Sequence, residues 1–504
     1  MNNTPETAIH TDVIIVGAGL SGIGSAVHLQ KNCPNRDYII IERRDAIGGT
    51  WDLFKYPGIR SDSDMHTLGY NFKPWRAEKA IADGPAIWNY VNETADEYGI
   101  RDQIRFGHKL IASSWSTESA SWVLTVEIAN GETQYFSCNF LLMCSGYYNY
   151  DAGHQPEFEG RDDFQGIWVH PQFWPDDLDY AGKKVVVIGS GATAMTLVPN
   201  MSQCAEKVTM VQRSPTYVVS RPSVDRVANF LRAIMPSSWA YGLIRLRNTL
   251  WQQLIYNQTR TNPDRVAQKL LEDVKKAVGD IVDVKKHFTP TYNPWDQRLC
   301  LVPDDDLFTA LRTGKAEVVT DTISHIDATG LVTGSGDHID ADIIVSATGI
   351  ELLNLGGADF KVDGKPVNFA EEWTYKGVMC SNVPNMVQTF GYINASWTLR
   401  ADLTAEWVCR VLDHMEEFGF KQATPRIPEL LARSMEKRYW IHDFSAGYMQ
   451  RMMPKLPRQG TQMPWVNPQN YRKDKKMFRG SAISDGALIF TSCHAEAEPL
   501  KKAS

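Results

Sequence analysis

Two short stretches constrain this chain more than any other. "DVIIVGAGLSGIGSAVHLQK" runs a buried strand, Val13 to Val16, into Gly17-x-Gly19-x-x-Gly22 and a helix. "KKVVVIGSGATAMTLVPNM" repeats the pattern, Val185 to Ile188 leading into Gly189-x-Gly191-x-x-Ala194. In each, the first Gly makes the tight turn from strand to helix. The second lets a pyrophosphate approach the backbone, and the third small residue lets helix and strand pack closely. The helix N-terminus then offers its unpaired N–H groups to the phosphates. A lone Gly triplet is weak evidence, but one that follows a strand, opens a helix and is answered by a second strand is strong. Two such units predict an α/β fold with two Rossmann-like dinucleotide-binding domains.

The ends of the answering strands separate the two ligands. "DYIIIE" ends at Glu42, 25 residues after Gly17. "KVTMVQRSP" ends at Gln212-Arg213-Ser214, with Arg213 24 residues after Gly189 and no acid nearby. A carboxylate accepts hydrogen bonds from a ribose diol, whereas a guanidinium grips a 2′-phosphate. The first unit is therefore read as FAD-binding and the second as NADPH-binding.

At 504 residues the chain exceeds one compact core. The second unit reads as an insertion in the first. FAD-binding sequence spans 1–150, the NADP unit 151–219, a helical subdomain 220–288, the NADP return 289–340, and the second FAD part with a wrapping, Pro-rich tail 341–504. In the helical stretch Phe230, Leu231, Ile234, Leu243, Ile244, Leu250, Trp251, Leu254 and Ile255 form apolar stripes among Arg226, Arg232, Arg245, Arg247 and Arg260. Such a surface can contact an anionic membrane. A helical subdomain with a solvated basic face is the preferred reading. The net charge of −7 argues against a nucleic-acid partner. Eight Cys without CxxC or metal-ligand spacing suit a reducing, cytoplasmic compartment and no metal. No signal segment or membrane span is apparent. A monomer and a small homo-oligomer both stay open.

"GGTWDLFKYPGIRSD" follows the Glu42 strand. Its two Gly let the backbone run close to a ligand, Trp51 offers a flat surface beside a flavin ring, and the Tyr56-Pro57-Gly58 turn aims Arg60, Ser61 and Asp62 back toward the site. No Cys pair stands here, so dithiol chemistry is not supported. The aromatic stretch Phe164-x-Gly166-x-x-x-His170-x-x-x-Trp174-Pro175 lies on the crossing between the two units.

With Gly48-Gly49-x-Trp51, Tyr56-Pro57-Gly58 and Asp62, that stretch resembles the fingerprint of type I Baeyer–Villiger monooxygenases, class B flavoprotein monooxygenases. The likeness covers nearly the whole chain. "YPGIRSDSD", "YNPWDQRLC" and "PWVNPQNY" are similar to the ethionamide-activating monooxygenase subgroup. The resemblance implies FAD as bound cofactor, with NADPH and O2 consumed together with a small-molecule ketone or sulfide. One oxygen atom enters beside the carbonyl through a C4a-peroxyflavin stabilised by Arg298, and sulfoxidation is a side activity. A fixed cation suits that role because negative charge builds on oxygen in a dry pocket. Asp62 would orient Arg298.

Carried over residue by residue, Ser21 meets the flavin pyrophosphate and Thr50, Trp51, Asp52 and Leu53 line the flavin. Arg60, Ser61 and Asp62 touch the nicotinamide side. Ser190, Gly191, Ala192, Thr193, Ala194 and Thr196 cradle the NADP pyrophosphate, with Arg213 and Ser214 on the 2′-phosphate. Asn394 and Trp397 close the ring end, core packing being an equal reading for Trp397. His170 falls to a joint between domains rather than to acid–base chemistry. One departure stands out: Gln297 occupies the place before Arg298 where much of the family has a Lys for the 2′-phosphate. Two other readings remain: a flavin monooxygenase acting only on nitrogen and sulfur, whose fingerprint lacks the Trp-Pro ending, and a flavin-bound redox sensor without turnover.

Overall fold

The computed structural model describes residues 8–442 and 444–492. Its first sheet has nine strands, built around Ile9–Val16 with Tyr38–Ile41 on one side and Thr133–Met143 on the other, all parallel. Val13, Ile14 and Ile15 are wholly buried, the continuous apolar run of a strand covered on both faces. Ser121–Ile128 and His108–Ser116 extend this sheet antiparallel, and Met386–Gln388 returns beside Thr133–Met143. The helix Leu20–Asn32 covers one face and packs against Trp397–Glu417 from the far end of the chain.

The second sheet has five parallel strands in the order Ala316–Thr320, Lys207–Gln212, Lys184–Ile188, Ile343–Ser346, Ile167–Val169. Two sequence expectations change here. The boundary placed at 340 moves past Ser346, because Ile343–Ser346 is a central strand of the NADP sheet rather than the start of the return. Ile343, Ile344 and Val345 are buried between the sheet's covering layers, which a connecting segment would not require. The stretch around Trp168, expected on the crossing between the two units, belongs to the second sheet, since Ile167–Val169 forms its edge.

The two chain crossings between domains run side by side, Tyr148–Gly153 pairing antiparallel with Ile350–Leu352. His170 lies against this ribbon. Its Nδ1 accepts from the Gln172 N–H at 3.2 Å, and Gln172 Nε2 donates to Asn149 O at 2.7 Å. Only Gly fits at position 153, where a Cβ would come within 2.0 Å of the imidazole.

Helices Arg226–Ile234, Ser237–Thr261, Pro263–Val278 and Val284–His287 form the inserted subdomain. Its expected solvated basic face is not what the structure shows. Arg245 turns inward and donates to the carbonyls of His66 and Gly69, satisfying the last turn of Met65–Leu68. Arg232 donates to the Trp75 and Ala77 carbonyls. Apolar side chains, Trp239 and Leu246 among them, face outward instead. The Pro-rich tail packs against the second part of the first domain. Trp465 is buried, Lys376 N–H donates to Pro464 O at 2.7 Å, and Arg400 Nη1 donates to Asn467 Oδ1 at 2.6 Å. No helix among the described residues is long and apolar enough to cross a membrane.

Candidate active site

A cavity of about 940 Å3 runs along the joint, bounded at one end by Glu42 and His108 and at the other by Arg213 and Asp321. That is near the upper end of small-ligand sites, about 300–1,000 Å3, as an extended occupant requires. Both Gly turns open onto it. Gly17 takes φ +108° because a Cβ would lie 2.6 Å from Cys144 O, and Gly189 takes φ +139° against Ala347 O at 2.3 Å. At Gly191 a Cβ would meet nothing within 4 Å, so the backbone there faces open space. Helices Leu20–Asn32 and Ala192–Met201 begin at these turns, and each N-cap lacks a side-chain partner. Those free N–H groups suit a pyrophosphate.

At the FAD end, Glu42 accepts from Ala18 N–H at 2.7 Å and Arg44 N–H at 2.9 Å, which fixes a carboxylate at the cavity wall. Burial pushes its pKa up, while the two N–H donors and Arg44 oppose that. Ser21 accepts from the Trp397 indole N–H at 2.7 Å, so Trp397 has a definite polar partner as well as its packing. At the other end Arg213 and Ser214 are exposed on the wall, and Ser190 Oγ donates to Ser214 O at 3.0 Å.

Arg298 and Asp62 meet where these two cradles converge. Arg298 Nε lies 3.2 Å from Asp62 Oδ2, and the Arg298 side chain keeps 41% of its surface exposed. Because Arg298 lines the cavity, that surface opens into the site. Burial disfavours its charge, but Asp62 together with Tyr448, Tyr147 and Tyr148 more than offsets this and holds the pKa above the ordinary value. Tyr448, Tyr147 and Tyr148 stand beside the guanidinium. Burial pushes Tyr148 and Tyr448 up to about 12 and Tyr147 well above its usual range, so all three stay protonated at neutral pH.

The remaining expected residues divide. Thr50, Trp51, Arg60, Ser61, Ala192, Thr193 and Thr196 line the cavity. Arg60 is also engaged by Asp306, Nη1 to Oδ2 at 2.5 Å, and Ser61 Oγ donates to Ser63 O. Five expected residues lie behind the wall. Gly22 packs under Gly17, and Ala194 is fully buried. Asp52 pairs with Arg44 at 2.5 Å, and Leu53 joins a cluster with Phe54 and Ile59. Asn394 donates to Gln469 O at 3.1 Å, and its neighbours Tyr392, Ala395 and Trp397 line the cavity. The sequence reading missed Tyr147, Tyr148, Tyr448 and Cys300. The "CSGYY" turn at a strand's C-terminal end was a usable signal for the first two.

Known proteins share this organisation. The model for flavin-binding monooxygenase-like proteins matches residues 81–450, and that for the NAD(P)-binding Rossmann-like domain matches 15–90. The chain belongs to the flavin-binding monooxygenase-like family. Among its relatives, the FAD-containing monooxygenase EthA of Mycolicibacterium smegmatis is 50% identical over 96% of this chain and 98% of its own. The probable FAD-binding monooxygenase AlmA of Acinetobacter baylyi is 48% identical over 95% of this chain and 96% of its own. In fold, an oxidised steroid monooxygenase bound to NADP superposes with a TM-score of 0.78 at 22% identity, over 96% of this chain and 100% of that one. Cyclohexanone monooxygenase with bound ε-caprolactone gives 0.75 at 18%, over the same shares. The resemblance seen in the sequence therefore holds at the level of the family: this is a flavin-binding monooxygenase-like protein with an NAD(P)-binding Rossmann-like domain, and it shares the fold of those two monooxygenases.

Proposed function

We propose that this monooxygenase inserts one oxygen atom of O2 beside a ketone carbonyl, and that sulfide oxidation is a side activity. Ketone, NADPH, H+ and O2 give an ester or lactone, NADP+ and water. The observation that carries this reading is the Arg298–Asp62 pair facing the cavity between the two dinucleotide cradles. When bound, FAD reduced by NADPH supplies the oxygen-activating chemistry.

This chain's own residues do the rest. Arg298 is a permanent cation, so it needs no proton bookkeeping to favour negative charge on oxygen as a nucleophile adds to the carbonyl. Asp62 fixes the guanidinium's direction through Nε, which leaves its other donors free to point into the cavity. Tyr147, Tyr148 and Tyr448 exclude water and keep the local dielectric low, which strengthens that charge's effect. Glu42 takes the flavin ribose and Arg213 the 2′-phosphate, so NADPH is preferred without the Lys that Gln297 replaces.

Arg298→Ala tests the reading with a ketone and a sulfide in parallel. Ester formation should fall by about a hundredfold or more, while sulfide oxidation, which builds no carbonyl oxyanion, stays within about tenfold. Ester formation that survives the substitution overturns the role given to Arg298. A wild-type enzyme that oxidises sulfides and amines but yields no ester overturns the ketone assignment.

A further inference from the structure

Eighteen large apolar side chains are exposed among the described residues, and nine of them fall between Val227 and Leu254. They lie on two adjoining helices, Arg226–Ile234 and Ser237–Thr261. Val227, Phe230 and Ile234 share one side of the first. On the second, Trp239, Leu243, Leu246, Leu250 and Leu254 fall within about 80° of arc at about 100° per residue.

The opposite side of that second helix already has its partners. Ile244 packs with Ala228 and Ala240, Tyr241 donates to Tyr70 O at 2.8 Å, and Asn248 donates to Asp64 Oδ1 at 2.9 Å. A helix on a water-facing surface needs one apolar face, and this one has two. Trp239 is 70% exposed and Phe230 61%, so the outer side chains are not half-buried remnants of the core. A contiguous apolar surface of this kind marks an interaction site.

Charge decides what the surface meets. Residues 226–261 hold five Arg and no Asp or Glu, in a chain whose net charge is −7. Arg232 and Arg245 point inward, and Arg247 and Arg260 pair with Asp225 and Asp296. Arg226 is left exposed at the rim, with Arg76 and Lys79 exposed on the segment beneath the first helix; Glu78 is the exposed acid among them. A two-fold contact with a second copy would set this acid-poor rim against itself. Exposed Trp and Phe above a basic rim suit the boundary between anionic headgroups and acyl chains.

We propose that the outer face of these two helices seats the enzyme on an anionic phospholipid surface, lying in the interface rather than spanning it. The inference does not depend on the ketone assignment.

Full-length holoenzyme is sedimented with vesicles of phosphatidylcholine containing about 30% phosphatidylglycerol, with phosphatidylcholine vesicles, and with none. Wild type should pellet with the anionic vesicles and release in about 0.5 M NaCl. Leu243→Gln/Leu250→Gln should lower the partition coefficient by about tenfold or more. Arg76→Glu/Arg226→Glu should lower it by about fivefold, leaving flavin content and NADPH turnover in vesicle-free solution unchanged. No pelleting with anionic vesicles, or pelleting that neither pair alters, overturns the proposal. Self-association without vesicle binding, abolished by the Leu substitutions, assigns the face to a second copy and also overturns it.

Discussion

Asp62→Asn is the substitution that separates two ways a carboxylate can serve a cation. It keeps the size of the side chain and removes the charge that Arg298 Nε meets at 3.2 Å. The bare Coulomb attraction at that distance is about 5 kcal/mol at an effective dielectric of about 20. Arg298 is 41% exposed, so screening leaves about 2 kcal/mol. A guanidinium stays protonated at neutral pH with or without its partner. The loss must therefore come from orientation, not from charge state. Two kcal/mol is about thirtyfold in a rate. Steady-state ester formation with NADPH should fall by about that factor, with a pH profile parallel to wild type between about pH 6 and 9. Turnover within about twofold of wild type, or a new inflection in that pH range, refutes the argument that Asp62 acts by aiming the guanidinium.

Gly22→Ala would set a Cβ 1.8 Å from Gly17 O, backbone against backbone with nothing able to yield; the purified variant should lack bound flavin absorption, and a fully yellow protein contradicts the turn geometry. Arg213→Glu should raise the KM for NADPH by about tenfold or more and change that for NADH little; equal effects on both would remove the 2′-phosphate contact. Burial lowers the pKa of His170. The unfolded chain, protonating near about 6.5, then binds more protons, so this group's stabilisation is present above that pH and is lost as pH falls below it. Tm should drop more for wild type than for His170→Gln between about pH 7.5 and 5.5, and parallel profiles contradict the reading.

What was legible in the sequence was chemistry confined to short windows. The two Gly turns, Glu42 against Arg213, and the strands that lead to them are each encoded within some thirty residues, because φ requirements and helix N-termini are local properties. The Arg298–Asp62 pair joins distant segments and was reached only through a family likeness. Its tyrosine surroundings come from the first crossing and from Gly447–Met452, and no spacing links the two. Ile343–Ser346 shows the same limit. An apolar run buried on both faces looks alike in either sheet, so the run itself does not say which domain claims it. Arg232 and Arg245 of the helical insert misled for another reason: backbone carbonyls draw them inward, and composition alone does not reveal where those carbonyls lie.

The most direct measurement is product analysis by mass spectrometry. The purified enzyme is turned over with NADPH under isotopically heavy O2 across linear, cyclic and aromatic ketones. Esters or lactones should carry one heavy oxygen atom per molecule, the second heavy atom should appear in water, and these esters or lactones should be lost in Arg298→Ala. NADPH consumed with no labelled ester from any ketone would contradict the ketone assignment.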